Sequence, residues 1–140
     1  MLPADKYNSR FNFIFPAIAL FFAILSHCYN PWLDFKGGRG LATAAGGAML
    51  IFPYLLAGWL LLWVITYIFK KDIHISNIAA TTLSLLLVFS TSKIALKYAF
   101  PTPDAESTLM LFCTAALTVI MIKHIDPLKE LIKSKTLIRK

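Results

Sequence analysis

Apolar positions in this chain fall in long uninterrupted runs rather than in alternation. They cover residues 11–29, 41–69, about 76–97 and 107–122, with short polar stretches between them. A helix needs about 20 mostly apolar residues to cross a hydrocarbon core ~30 Å thick, because each residue rises ~1.5 Å. No stretch sustains the period-two alternation of a half-buried strand. In lipid, a helix satisfies its own backbone N–H and C=O groups, whereas an open strand does not. The pattern predicts an all-α, polytopic transmembrane helical protein with four or five membrane segments in a single domain, 1–140.

The run 41–69 is too long for one perpendicular crossing, since 29 residues make a helix of ~43 Å. Pro53 lies inside it. Proline lacks a donor and crowds the preceding turn, so a break is expected there. The preferred segments are about 11–29, 41–52, 54–69, 76–97 and 107–122. Residues 123–140 form a basic tail. Asp126 and Pro127 suit a helix start, with Leu128, Leu131 and Ile132 on one face, so the tail reads as an amphipathic helix on the membrane surface.

Charge refines this picture. The net charge is +7, from 14 basic and 7 acidic residues, and the cations flank the apolar runs. That is the distribution of anchors at a membrane of anionic lipid, and nucleic acid is not an expected partner. Six Lys/Arg in the tail place it in the cytoplasm. Charge counting leaves one ambiguity. If 41–69 crosses once, the tail side gains Lys6, Arg10, Lys70 and Lys71, ten cations against four. If it folds back at Pro53, the tail side gains Lys36, Arg39, Lys70 and Lys71, again ten against four. Only the fold-back brings Lys36 and Arg39 to the side of the tail. Cys28 and Cys113 have no CxxC spacing and read as small buried hydrophobes.

The string that carries chemistry is Phe35-Lys36-Gly37-Gly38-Arg39-Gly40-Leu41-Ala42-Thr43. It sets two cations among glycines at the start of an apolar helix. Glycines let backbone N–H groups approach an anion closely, and a helix start adds partial positive charge. Lys36, Gly37, Gly38, Arg39 and Gly40 suit a phosphate, and Thr43 offers a hydroxyl. The same composition also fits an interfacial loop whose glycines permit close helix packing. The spacing is not that of a Walker loop.

The string resembles the second signature of the bacterial acyl-phosphate:glycerol-3-phosphate acyltransferases, the PlsY family. Members read Phe-Lys-Gly-Gly-Lys-Gly-Val-Ala-Thr, and residues 35–43 differ only by Arg39 and Leu41. Ser26-His27 stands where the family has Gly-His. Trp59, Trp63 and Ser76-Asn77-Ile78 continue the likeness. The resemblance implies transfer of an acyl group from acyl phosphate to the 1-hydroxyl of glycerol 3-phosphate, giving lysophosphatidic acid, in the inner membrane of a bacterium. It implies that residues 36–40 hold the phosphate. It implies no metal and no cofactor.

Two departures stand beside it. The family's first signature, a Ser-Gly-Asn-x-Gly-x-x-Asn loop, has no counterpart in residues 1–140, so a second chain supplying it is an expected partner. The third, His-x-x-Asn-Ile-x-Arg-Leu, is echoed by His124 and Leu131, but Pro127, Leu128 and Glu130 replace its other members. A truncated, non-catalytic relative that binds a phosphorylated ligand or anionic lipid is the alternative. His124 is the candidate catalytic residue and His27 a further candidate at the loop. His74 reads as a solvated loop residue. Asp104 and Glu106, in a proline-rich turn, read as solvated too.

Overall fold

The computed structural model describes residues 4–103 and 105–138, with side chains from Phe13 onward except 104, 126, 128, 130–132 and 134–138. Among these residues every regular element is helical: α1 Ala4–Cys28, a 3₁₀ turn Pro31–Leu33, α2 Leu41–Ile51, α3 Pro53–Lys70, α4 Ile73–Ser90, α5 Ser92–Lys97 and α6 Glu106–Ile138. Four stretches are long and apolar enough to cross a membrane: Phe13–Leu33, Pro53–Lys70, Ile73–Ser90 and Glu106–Ile125. Helix α2, at about 16 Å, is shorter than a bilayer core.

The break expected near Pro53 separates α2 from α3. Phe52 leaves helical geometry at φ −133°, ψ 57°, and Pro53 opens the next helix. A break inside lipid strands carbonyls, which must find other donors. Here the Phe100 N–H donates to the Ile51 carbonyl at 2.9 Å. The Tyr54 hydroxyl donates to Thr91 Oγ1 at 3.2 Å, and the Tyr54 and Tyr98 rings stack. The elbow is therefore held by the α4–α5 corner and the loop after it. The chain reverses there, because α3 ends two residues before α4, whose first turn touches the loop preceding α2.

Helices α3 and α4 are joined by polar rungs as well as by packing. Trp63 Nε1 donates to Asn77 Oδ1 at 2.6 Å and Trp59 Nε1 donates to Thr81 Oγ1 at 3.2 Å. Both acceptors are buried. An indole N–H in lipid needs a partner as much as a backbone amide does. The rungs thus fix which faces of the two helices meet. The core has two parts. One gathers Phe13, Phe52, Val88, Leu109 and Cys113 around the elbow, with Phe13 edge-on to Phe52 at 5.8 Å. The other joins Ile24, Cys28 and Ile120 beneath the glycine loop.

Four details differ from the expectations. Helix α4 begins at Ile73 rather than 76, because the Asp72 carboxylate caps it, accepting from the His74 and Ile75 N–H groups at 2.9 and 3.2 Å. The helix expected over 76–97 is interrupted at Thr91, whose hydroxyl turns back to the Leu87 carbonyl at 2.6 Å. No new helix starts at Asp126–Pro127: α6 continues through Pro127, since a proline removes one i→i−4 bond without obliging the chain to stop. The side chains of the proposed tail face, Leu128, Leu131 and Ile132, lie outside the described residues, as does Asp104. Glu106 is not a solvated turn residue. It opens α6 and accepts from Ser92 Oγ at 2.9 Å.

Candidate functional site

Five pieces of chain meet at the end of the bundle opposite the elbow: the last turn of α1, the loop to α2, the first turn of α2, the first turn of α4, and α6 around His124. The loop is shaped by local chemistry. The Asn30 side chain caps the 3₁₀ turn, accepting from the Trp32 N–H at 2.9 Å. Asp34 and Phe35 then adopt left-handed conformations, with φ 49° and 60°. The turn closes through the Phe35 N–H to the Asn30 carbonyl and the Lys36 N–H to the Leu33 carbonyl, at 3.0 and 2.8 Å.

The glycines follow from close contact. The Gly38 N–H donates to the His27 carbonyl at 3.0 Å, tying the loop to the end of α1. A Cβ at Gly37 would strike that same carbonyl and the Cys28 backbone. Gly40 takes φ 75° over the buried Cys28 sulfur, a conformation few other residues adopt. It then opens α2 with no side-chain cap, which leaves the first-turn N–H groups of α2 without intrahelical partners.

Arg39 reaches across the loop to α4. Its Nη1 lies 3.0 Å from His74 Nδ1. Arginine only donates, so His74 Nδ1 accepts and its Nε2 carries the proton. His74 is thus no solvated loop residue. The missed signal was Asp72, a helix-capping residue two positions earlier. His124, on α6, is 1% exposed and bonds the Ile120 carbonyl through Nδ1 at 2.8 Å. That contact puts the proton on Nδ1 and leaves Nε2 an acceptor, buried and with no partner. One residue along, Lys123 Nζ lies 4.0 Å from the Tyr29 ring centroid and donates to the Phe35 carbonyl at 3.4 Å.

Lys36 and Arg39 are exposed at the mouth of this cluster. The structure therefore joins Arg39 to His74, ties the loop to α6 beside His124 through Lys123, and sets the glycine loop against His27. Thr43 faces elsewhere: with Ser26, His27, Asn30 and Trp32 it lines an open groove on the outer side of the loop. Below the cluster runs an apolar crevice, floored by Ala44, Ala45 and Ala48 of α2 and walled by Leu55, Trp59 and Ile120. It starts at Leu41, next to Gly40, and one turn from His124.

A family model described as glycerol-3-phosphate acyltransferase matches residues 4–134. The chain belongs to the glycerol-3-phosphate acyltransferase family. Curated relatives of that name include those of Ehrlichia canis (strain Jake) and Campylobacter lari, each 28% identical over 132 residues, or 94% of this chain and 61% and 60% of theirs. The chain spans about six tenths of the length of these family members. Its fold is similar to a crystal structure of PlsY (YgiH), described as an integral membrane glycerol 3-phosphate acyltransferase in its glycerol 3-phosphate form, at TM-score 0.63 and 22% identity, over 88% of this chain and 62% of that one. With its four apolar helices, this family member is a multi-pass membrane protein.

Proposed function

We propose that this chain binds glycerol 3-phosphate and transfers to it an acyl group from acyl phosphate, at the cytoplasmic face of a bacterial inner membrane. Lys36, Arg39 and the open first-turn N–H groups of α2 hold the phosphate. The apolar crevice under Gly40 takes the acyl chain, so both substrates meet at the boundary between water and lipid.

The chemistry then needs little from the protein. The 1-hydroxyl oxygen attacks the acyl carbonyl carbon. A C–O ester bond forms, the anhydride C–O bond breaks, and inorganic phosphate leaves with the electron pair. Phosphate is a good leaving group, so positioning and charge neutralisation do most of the work. His124 Nε2, an acceptor held in the right tautomer by Ile120, takes the hydroxyl proton. A buried acceptor without a partner costs about 1–3 kcal/mol, which a bound hydroxyl relieves. In this reading, polar residues from a segment outside 1–140, on the same polypeptide or on a second chain, complete the pocket.

The observation that carries the reading is the meeting of the glycine loop with α6 beside His124, made by the Lys123 Nζ bond to the Phe35 carbonyl. The test is turnover by purified protein in detergent with acyl phosphate and glycerol 3-phosphate, measured as release of phosphate and formation of lysophosphatidic acid. Activity lost in Lys36→Ala and His124→Ala supports it. Saturable binding of glycerol 3-phosphate without turnover supports the alternative, a binding-only relative, which the replacements at Pro127, Leu128 and Glu130 favour.

A further inference from the structure

We infer that His74 is a positioning residue for the phosphate site, acting through Arg39. The inference rests on the proposed phosphate site and adds to it a residue that the glycine-loop motif does not contain.

Arg39 is exposed and stands on a loop of glycines. A free guanidinium there samples many rotamers, and ordering it on binding costs affinity. The Nη1–Nδ1 contact at 3.0 Å removes that freedom in advance. It takes one edge of the guanidinium, leaving the other N–H groups for an anion, which a planar five-donor fork allows and a lysine ammonium does not.

His74 is itself well anchored. Its backbone N–H is bound by the Asp72 carboxylate, in the first turn of a helix locked to α3 by the Trp63–Asn77 and Trp59–Thr81 rungs. Rigidity thus passes from the α3–α4 pair through His74 to an exposed cation on the glycine loop. The direction of the bond is fixed by chemistry, because only an imidazole with a bare Nδ1 can accept from Arg39.

Two measurements test this on the full chain in detergent micelles. The first uses glycerol 3-phosphate binding by calorimetry. His74→Ala weakens it roughly tenfold, the usual loss for a hydrogen bond to a charged group. His74→Asn restores it to within about threefold, because the Asn oxygen occupies the place of Nδ1. A structural role would not distinguish Asn from Ala in this way. Equal binding by the wild type and His74→Ala overturns the inference while leaving the phosphate site intact. The second needs no ligand. In ¹⁵N-histidine-labelled protein, His74 is expected as the Nε2–H tautomer, with an Nδ1 resonance that moves in Arg39→Ala. An Nδ1–H tautomer, or no response to Arg39→Ala, overturns the inference even if glycerol 3-phosphate does not bind to the wild type at all.

Discussion

The Gly38 N–H is bonded to the His27 carbonyl at 3.0 Å, and this contact sets how tightly the cationic loop lies on the end of α1. The three glycine positions nearby then differ in a way that predicts their tolerance. A methyl at Gly37 meets the His27 carbonyl and Cys28 backbone, which cannot move without unwinding α1. A methyl at Gly38 meets only the His27 ring, which can swing away. A methyl at Gly46 meets nothing within 4 Å. Glycerol 3-phosphate binding should therefore fall beyond detection in Gly37→Ala, fall several-fold in Gly38→Ala, and stay unchanged in Gly46→Ala. That last variant should gain about 0.5–1 kcal/mol of helix stability. Titration calorimetry and unfolding of each variant check the ranking.

The rung from Trp63 to Asn77 makes a separable prediction about stability. Removing the indole donor in Trp63→Phe leaves Asn77 Oδ1 buried with one partner fewer. Interhelical hydrogen bonds in membranes are worth about 0.6 kcal/mol on average and up to ~1.7. At 2.6 Å this one belongs near the upper end. Unfolding in mixed micelles should show a loss of ~1–2 kcal/mol for Trp63→Phe. A double-mutant cycle with Asn77→Ala should return a coupling energy of the same sign.

The reversal at Phe52–Pro53 predicts sidedness. In a background of Cys28→Ala and Cys113→Ala, single cysteines at Lys36 and Lys129 should react with an impermeant maleimide from the same side of the membrane. A cysteine at Thr102 should react from the opposite side. Labelling of Lys36→Cys together with Thr102→Cys would mean that 41–69 crosses once.

The crevice beneath Gly40 predicts a split between the two substrates. Its floor is alanine, so bulk there removes space without touching a charge. Ala45→Phe should abolish transfer from a long-chain acyl phosphate while leaving glycerol 3-phosphate binding within about twofold of the wild type, since one displaced helix-face side chain is far from the cations. Kinetics with the two substrates varied separately read the difference.

Much of the architecture was legible because lipid imposes few solutions. Runs of apolar residues could only be helices, and Pro53 in a run too long for one perpendicular crossing marked where a break was expected, while leaving a single tilted crossing open. The meeting of the glycine loop with His124 was legible only by choosing the fold-back, since charge counting gave ten against four either way. What escaped were contacts that depend on register between helices. Nothing in the spacing of Trp59, Trp63, Asn77 and Thr81 says that they pair, and His74 looked like loop because the cap at Asp72 was overlooked. Thr91 interrupts a run that reads as continuous, and Pro127 fails to interrupt one that reads as ending. At Thr91 a hydroxyl bond to the Leu87 carbonyl accompanies the break, and at Pro127 the loss of one backbone bond leaves the helix running.

The measurement that bears most directly on the phosphate site is calorimetric titration of the purified protein in detergent with glycerol 3-phosphate. Saturable binding is expected, competed by inorganic phosphate and weakened at least about tenfold by Arg39→Ala and by Lys36→Ala, in line with charge-assisted contacts of ~1.5–3 kcal/mol each. Binding that is absent from the wild type, or that survives both substitutions unchanged, would contradict it.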